Sequence, residues 1–379
     1  MSLEVLPRIL FVWDQLGPYH VDRCEAVGKA FAGRAKVVGV ELSSVSLTYA
    51  WDASGEGRYF ERHTLFGSKP AETLSVLKVA RALVREIARP NVQAVYIAGY
   101  ERPSHFITAL VARAFGRRVI VMLDSKYDDK PRRAIVEAVK RLMMVPYSGG
   151  FVAGRRSADY LRFLGFGRRP ITLGYDAVSL HRIRALAHDI QPQPWSERPF
   201  VAVARYVPKK NLTFLLEAYA RFRDIDPASQ RRLILCGGGP LENELRSTAQ
   251  QLGISDWVDF TGFAPQADVA RYLASALCLV LPSVEEQWGL VVNEALAFSL
   301  PLILAENVGA IDLLAAQDQN AFILEANDRD GWAKAMASLG SDQSLWSRMA
   351  SHSASFAPLG DVSEFVRGVS PHLPFQTNF

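Results

Sequence analysis

Short apolar runs rich in β-branched residues alternate with segments of helical period along most of the chain, the pattern of parallel strands covered by crossover helices. In the first half, Arg8 to Trp13, Lys36 to Val40, Val92 to Ile97 and Arg118 to Met122 predict strands, with helices near Tyr19 to Phe31, Ala71 to Ala88 and His105 to Phe115. In the second half, strands at Phe200 to Ala204, Arg232 to Cys236, Val258 to Phe260 and Cys278 to Leu281 alternate with helices near Asn211 to Phe222, Pro240 to Leu252 and Ala267 to Ser275. Between the halves, Ala177 to Pro199 is polar and irregular, and its Gln191-Pro192-Gln193-Pro194 run blocks continuous helix, so the linker is expected there. The fold class is therefore α/β, with two Rossmann-like doubly wound parallel sheets, and 379 residues suit two such domains better than one core. The expected limits are 1–180 for a first domain, 181–355 for a second, and 356–379 for a tail that either packs back on the first domain or frays.

Charge divides along the same line. Residues 1–180 carry 27 Lys and Arg against 17 Asp and Glu, whereas residues 181–379 carry 16 against 22. A basic domain joined to an acidic one suggests that the first faces something anionic, such as a membrane surface or a phosphorylated acceptor, with a merely solvated surface as the alternative. The cysteines, Cys24, Cys236 and Cys278, are odd in number and widely spaced, which suits a reducing compartment. Met1 to Leu6 lacks a basic segment followed by an apolar one, and no apolar run is long enough to span a bilayer. A cytoplasmic protein, peripheral at the inner face of the membrane if associated with it at all, is the expectation.

In open α/β sheets, ligands collect beyond the carboxyl ends of strands, where helix N-termini present free N–H groups. Arg205-Tyr206-Val207-Pro208-Lys209-Lys210-Asn211 leaves such a strand and delivers cations just before a helix. Arg205 and Lys210 would neutralise a diphosphate without metal, the first with paired N–H donors and the second as a mobile point charge. A solvated basic turn is the plainer reading. Cys236-Gly237-Gly238-Gly239-Pro240 ends the next strand, and its glycines allow close backbone approach to a ligand or simply a tight turn. Farther on, Glu286-Gln287-Trp288-Gly289-Leu290 leads into a helix that contains Glu294. Two acceptors so spaced could hold hydroxyls at the two ends of an elongated polyol; alternatively, Glu294 is a solvated helical carboxylate and Glu286 a charge that satisfies a helix N-terminus.

Taken in order, the Arg205 to Asn211 run, Cys236 to Pro240, Thr261-Gly262-Phe263, Glu286 and Glu294 resemble the retaining glycosyltransferases of the large family-four group, which have the GT-B fold. The likeness covers nearly the whole second half. It implies two Rossmann-like domains facing a central cleft, and transfer of a sugar from a UDP- or GDP-linked donor to a hydroxyl of a glycan, glycolipid or other acceptor. It further implies a diphosphate held by Arg205 and Lys210, donor-sugar hydroxyls held by Glu286, the ribose held by Glu294, and base contacts near Phe263. Gly237, Gly239, Gln287, Trp288, Gly289 and Leu290 complete the donor-binding set, and Arg205, Lys210 and Glu286 are the candidate catalytic residues. No cofactor, resident metal or nucleic acid is expected. The first half resembles the family more loosely: Gln15-Leu16-Gly17-Pro18-Tyr19-His20 stands where a glycine-rich loop usually faces the donor phosphates, with Gly17 retained. His20 is either a site residue or an ordinary helix-start histidine. After the strand that ends near Met122, Asp124 stands where the family often has a His, and Asp124 and Lys126 are the acceptor-side candidates.

Lys126, Lys130, Arg132, Arg133, Lys140 and Arg141 cluster in and before a helix that also carries Ile135, Val136, Val139, Leu142 and Met143. Helical spacing of the apolar positions suggests one buried face and a basic outer face that could meet anionic lipid. An ordinary core-packed helix with a solvated basic side is the alternative. Two rival functions stay open: another enzyme class on this fold, such as a nucleotide-sugar epimerase or a glycogen-type phosphorylase, and a non-catalytic sugar-nucleotide-binding subunit.

Overall fold

The computed structural model describes residues 6–46, 55, 57–129, 131–191 and 193–375; the opening residues 1–5, Lys130 and Pro192 lie outside them. The chain divides into two units, one formed by Met1–Tyr127, Pro131–Ser179 and Val362–Phe379, the other by Asp128–Lys130 and Leu180–Asp361. In the first unit the elements run β1 (Arg8–Trp13), α1 (Pro18–Ala30), β2 (Lys36–Glu41), β3 (Phe60–Thr64), α2 (Val76–Ile87), β4 (Val92–Ala98), α3 (Pro103–Ala114), β5 (Arg118–Leu123), α4 (Ala134–Met143), β6 (Gly149–Val152), α5 (Arg155–Leu161) and β7 (Ile171–Leu173). The second unit contributes α6 (Leu180–Ala185), β8 (Phe200–Val203), α7 (Leu212–Ile225), β9 (Leu233–Cys236), α8 (Glu242–Gln251), β10 (Val258–Gly262), α9 (Gln266–Ser275), β11 (Cys278–Leu281), α10 (Leu290–Ala297), β12 (Leu302–Ala305), α11 (Ile311–Leu314), β13 (Ala321–Leu324), α12 (Arg329–Ser341) and α13 (Gln343–Phe356). The chain then returns to the first unit as α14 (Val362–Val369).

The described strands pair in parallel, in the orders β3-β2-β1-β4-β5-β6-β7 and β10-β9-β8-β11-β12-β13. Strand order reverses between β1 and β4 in one sheet and between β8 and β11 in the other, so each is doubly wound with a switch point at its middle. In β1, Ile9, Phe11 and Trp13 enter one buried cluster while Leu10 and Val12 enter another. A strand covered on both faces needs apolar residues at every position, which is why these strands read as continuous apolar runs. Cys24, Cys236 and Cys278 are buried thiols.

Several elements depart from the sequence reading. Ala71–Thr73 forms a 3-10 turn and Leu74 and Ser75 are extended, so α2 begins only at Val76 rather than running on from Ala71. The stretch Ala177 to Pro199 is less a linker than expected: Ala177 and Val178 are buried in the first unit, and Leu180, Ile183 and Ala187 in the second. There α6 is pinned by Arg182 to Gln266 (2.6 Å) and by Arg184 to the Ala297 carbonyl (2.7 Å). Six residues are too few to display helical periodicity. Helix α4 is turned the other way from its expected pose: Ile135, Val136, Val139 and Leu142 are exposed while Glu137 is buried.

Residues 357–361 remain with the second unit, and α14 closes one face of the first sheet. Phe365 packs on Phe151 and Phe11, with ring centroids 4.8 and 5.6 Å apart. A Cβ on Gly368 would lie 2.3 Å from the Phe151 ring, so the helix approaches as closely as it does only because that side chain is missing. His372 follows; its Nε2 lies 3.1 Å from the Gly150 carbonyl and 2.8 Å from the Thr172 hydroxyl. Burial, opposed by the Gly150 hydrogen bond and assisted by Arg118, pushes its pKa from 6.5 to about 4. A His whose folded pKa is depressed stabilises fully above its unfolded pKa, and that stability is lost as pH falls through the window between the two values. Urea unfolding of the wild type should therefore weaken between about pH 6.5 and pH 4. His372→Gln should show a shallower loss over that window, because one proton fewer is taken up on unfolding; parallel curves would contradict this role for His372.

Candidate functional site

The switch point of the second sheet lies between β8 and β11, and two loops leave its carboxyl edge there. Beyond β8, Tyr206 is buried; its hydroxyl donates to the Leu235 carbonyl (2.8 Å) and its N–H to the Gly238 carbonyl (2.9 Å). The loop is thus clamped onto the glycine run after β9. Gly237 and Gly239 have φ of 143° and 155°, in the region that favours glycine. A Cβ on Gly237 would lie 1.9 Å from the Ala204 carbonyl oxygen, and one on Gly239 2.6 Å from that of Tyr206. The close approach these glycines permit is therefore to the neighbouring loop. At Gly238 a Cβ would meet only the Phe263 nitrogen, at 3.6 Å, and Phe263 itself is 69% exposed at the end of β10.

Across the switch point, the Pro282 to Gly289 loop is laced to the same segment. The Lys209 carbonyl accepts from the N–H groups of Val284 (3.0 Å) and Glu285 (3.4 Å), and the Lys209 ammonium pairs with Glu285 at 3.2 Å. Asn211, held left-handed at φ 55°, donates from its amide to the carbonyls of Pro282 (3.3 Å) and Ala326 (2.9 Å). Lys210 forms an ion pair with Glu286, and the buried Ser283 hydroxyl donates to the same Glu286 oxygen, Oε2, at 3.0 Å. Arg205 is exposed; its carbonyl accepts from the Val207 N–H (2.9 Å), while among the described residues its guanidinium makes no hydrogen bond or ion pair. The edge thus carries two committed cations, Lys209 and Lys210, the uncommitted guanidinium of Arg205, and a Glu286 carboxylate held by Lys210 and Ser283. This arrangement can accept a polyphosphate on one side and a hydroxylated ring on the other.

Gly289, at φ 98°, caps α10. Gln287 is exposed and Leu290 half-buried, whereas Trp288 is buried with its indole N–H on Asn293 (3.0 Å), leaving its main chain as the part a ligand could meet. Since α10 starts at Leu290, Glu294 lies little more than one turn into the helix. It is only 5% exposed and accepts from Gln266 at 3.2 Å, so it is not a solvated carboxylate. Arg182 donates to Gln266 at 2.6 Å and completes a relay, Arg182–Gln266–Glu294, that sequence reasoning missed. Ser283 was missed as well, although its place three residues before Glu286 is a visible signal. Among the acids nearby in sequence to α7 and α12, Asp328 caps α12, and Arg221 pairs with Asp330 (2.8 Å) and Asp224 (3.8 Å).

The remaining candidates belong to the first unit. Gly17 has φ −79°, open to any residue, and its N–H donates to His20 Nδ1 at 3.1 Å. The His20 ring rests on Trp13, with centroids 4.7 Å apart, and burial together with the Arg23 charge holds its pKa well below the ordinary value. It is a neutral ring that caps the start of α1. Asp124 follows β5, and its carbonyl accepts from Ser157 at 2.9 Å. Lys126 is 1% exposed, so it cannot belong to a basic outer surface. Lys130 lies outside the described residues.

Residues 187–355 match the family model described as glycosyl transferases group 1. D-inositol 3-phosphate glycosyltransferase of Corynebacterium glutamicum is 31% identical over 151 residues, covering 39% of this chain and 36% of its own length. The protein of the same name from Streptosporangium roseum is 33% identical over 151 residues, covering 38% and 34%. The match thus spans about a third of the length of these curated relatives. Among solved structures, sucrose-phosphate synthase of Thermosynechococcus elongatus superposes with a TM-score of 0.72 at 17% identity, covering 96% of this chain and 98% of that one. HepE of Anabaena, solved with UDP and glucose, gives 0.70 at 17% identity over 96% and 98%. A trehalose-6-phosphate protein of E. coli, solved with UDP-2-fluoro glucose, gives 0.71 at 14% identity over 97% and 99%. These likenesses give the fold of both units, GT-B, and within the second unit residues 187–355 are similar to the glycosyl transferases group 1 family.

Proposed function

We propose that this protein is a retaining, metal-independent glycosyltransferase that moves a hexose from a nucleotide-diphosphate sugar to a hydroxyl of a glycan, glycolipid or other acceptor. The observation that carries the reading is the grouping of Arg205, Lys210 and Glu286 at the switch point of the second sheet. The UDP and glucose held by HepE and the UDP-2-fluoro glucose held by the E. coli protein support a UDP-linked donor. In this reading the diphosphate takes Arg205 directly and draws Lys210 away from Glu286, which frees the carboxylate to accept from a hydroxyl of the donor sugar. Glu294, already oriented by Gln266, holds the ribose, and the exposed Phe263 flanks the base. A cytoplasmic role in bacterial envelope polysaccharide or glycolipid synthesis, peripheral to the membrane, goes with the basic balance of residues 1–180.

In the reaction, the bond between the anomeric carbon and the β-phosphate oxygen breaks as the acceptor oxygen attacks the same face. Positive charge builds on the sugar and negative charge on the leaving diphosphate, which fixed cations stabilise more in the transition state than in the ground state. The acceptor hydroxyl proton passes to the departing phosphate oxygen, so no carboxylate pair flanking the anomeric carbon is required, as it would be in a glycosidase.

Incubation with a panel of nucleotide sugars, with and without candidate acceptors, should release a nucleoside diphosphate; no release from any of them would overturn the reading, and interconversion of the sugar without release would indicate an epimerase. Arg205→Ala and Glu286→Ala should each lower turnover by roughly 100- to 1000-fold with the fold intact. Near-normal rates in either variant would remove that residue from the site. Glu294→Ala should mainly weaken nucleotide binding, read by calorimetry with UDP, because the ribose carries no developing charge; a defect confined to turnover would contradict that assignment. Turnover should also survive excess chelator, and a complete loss restored by magnesium or manganese would contradict charge neutralisation by Arg205 and Lys210 alone.

A further inference from the structure

Helix α4 wears its apolar side outward. Ile135, Val139 and Leu142, at positions i, i+4 and i+7, fall on one stripe and are 81%, 54% and 63% exposed, and Val145 extends the stripe beyond the helix end at 64%. What turns the helix over is a polar cage on its inner side. Glu137 is the only acid in α4 and is buried, accepting from Tyr160 at 2.6 Å and Lys140 at 2.9 Å, with Arg132 3.7 Å away. Arg132 also donates to the Tyr160 hydroxyl at 3.0 Å and stacks 4.4 Å from that ring. Burial resists ionisation of Glu137, but the Tyr160 and Lys140 hydrogen bonds and the Arg132 charge outweigh it and keep the pKa below its ordinary value.

The cage therefore consumes the acid together with Lys140 and Arg132, and the outer side is left with an apolar stripe and cations at its flanks. Arg133 is exposed at the N-cap, and the exposed Arg141 reaches the Phe163 carbonyl at 2.9 Å while lying 5.8 Å over the ring of Phe163, itself an exposed aromatic. An exposed apolar row flanked by cations, on a helix with no exposed acid of its own, matches a bilayer whose headgroups are anionic: the stripe can enter the acyl boundary while arginines meet the phosphates. A protein partner would more often be met by a flatter, mixed rim of both charge signs.

We propose that α4 is an insertion helix that docks the first unit on an anionic membrane, with Ile135, Val139 and Leu142 in the acyl region and Arg133 and Arg141 at the headgroups. This deepens the peripheral-membrane part of the functional reading and is independent of the donor chemistry. Binding thus needs both apolar burial and charge, whereas a purely electrostatic docking would need only the second.

The test is cosedimentation of the full chain with vesicles of phosphatidylcholine alone or mixed with phosphatidylglycerol, alongside nucleoside diphosphate release in solution. Wild type should bind the mixed vesicles and not the neutral ones. The triple change Ile135→Ser, Val139→Ser and Leu142→Ser should lower binding about tenfold or more, since burying apolar side chains supplies the insertion energy. Arg133→Gln with Arg141→Gln should weaken binding and flatten its salt dependence, and neither variant should change donor turnover in solution. In an Ile135→Trp variant, the fluorescence attributable to the new indole should be quenched by lipids brominated in the acyl chains. Absence of wild-type binding at low salt, undiminished binding of the serine variant, or lack of quenching would overturn the proposal. So would a stable dimer that the serine changes dissociate, because the stripe would then be covered by a second copy of the chain. Loss of donor turnover with vesicle binding intact would instead count against the transferase reading and leave this one standing.

Discussion

The ion pair between Lys210 and Glu286 joins two loops that the sheet alone would not hold together. Strands β8 and β11 are paired at Phe200 with Cys278 and at Val201 with Leu279, but the order of the sheet reverses there and the chains beyond them head for different helices. Both side chains of the pair are largely shielded, at 13% and 14% exposure. Removing either partner would leave a poorly solvated charge, so the pair holds the edge of the sheet in shape until a better partner arrives. In the proposed reading a diphosphate is such a partner for Lys210 and a sugar hydroxyl for Glu286. On this account the resting site rehearses its ligand's charge pattern internally, and Arg205 is the part left open to start the exchange.

The strands flanking each switch point were legible in the sequence because burial on both faces forces unbroken apolar runs. Elements at the margins were not. Strand β3 (Phe-Glu-Arg-His-Thr) is an edge strand that is polar after its first residue, β7 has only three residues, and β12 and β13 follow one another with the four-residue α11 between them. Helix α6 hides inside a proline-flanked polar stretch, since six residues give too little periodicity to separate it from a linker. The C-terminal α14 has only eight residues, and its close fit depends on Gly368, whose meaning appears only once Phe151 is opposite it.

The site divides in the same way. Arg205, Lys210 and Glu286 could be picked out as candidates because cations and acids on strand-end loops recur in one order, and the structure pairs Lys210 with Glu286. The supports of Glu294 were not, because Gln266 and Arg182 act across sequence distances that no local pattern encodes, whereas Ser283 stands only three residues before Glu286. The glycines after β9 were visible, but their physical role is to let backbone pass backbone, which a sequence cannot distinguish from making room for a ligand. Helix α4 shows the limit most clearly: periodicity gives a stripe but not the side on which it lies, and the Glu137–Tyr160 cage sets that side.

The central claim is that a nucleotide-diphosphate sugar is held by the loops at the β8–β11 switch point. Backbone hydrogen exchange, measured with and without saturating UDP, tests it most directly, because it locates the bound nucleotide without requiring turnover. The account predicts slowed exchange in peptides covering residues 204–211, 236–241 and 284–294, with α4 unchanged. Protection confined to other segments, with those three peptides indifferent to UDP or to any other nucleoside diphosphate that binds, would contradict it.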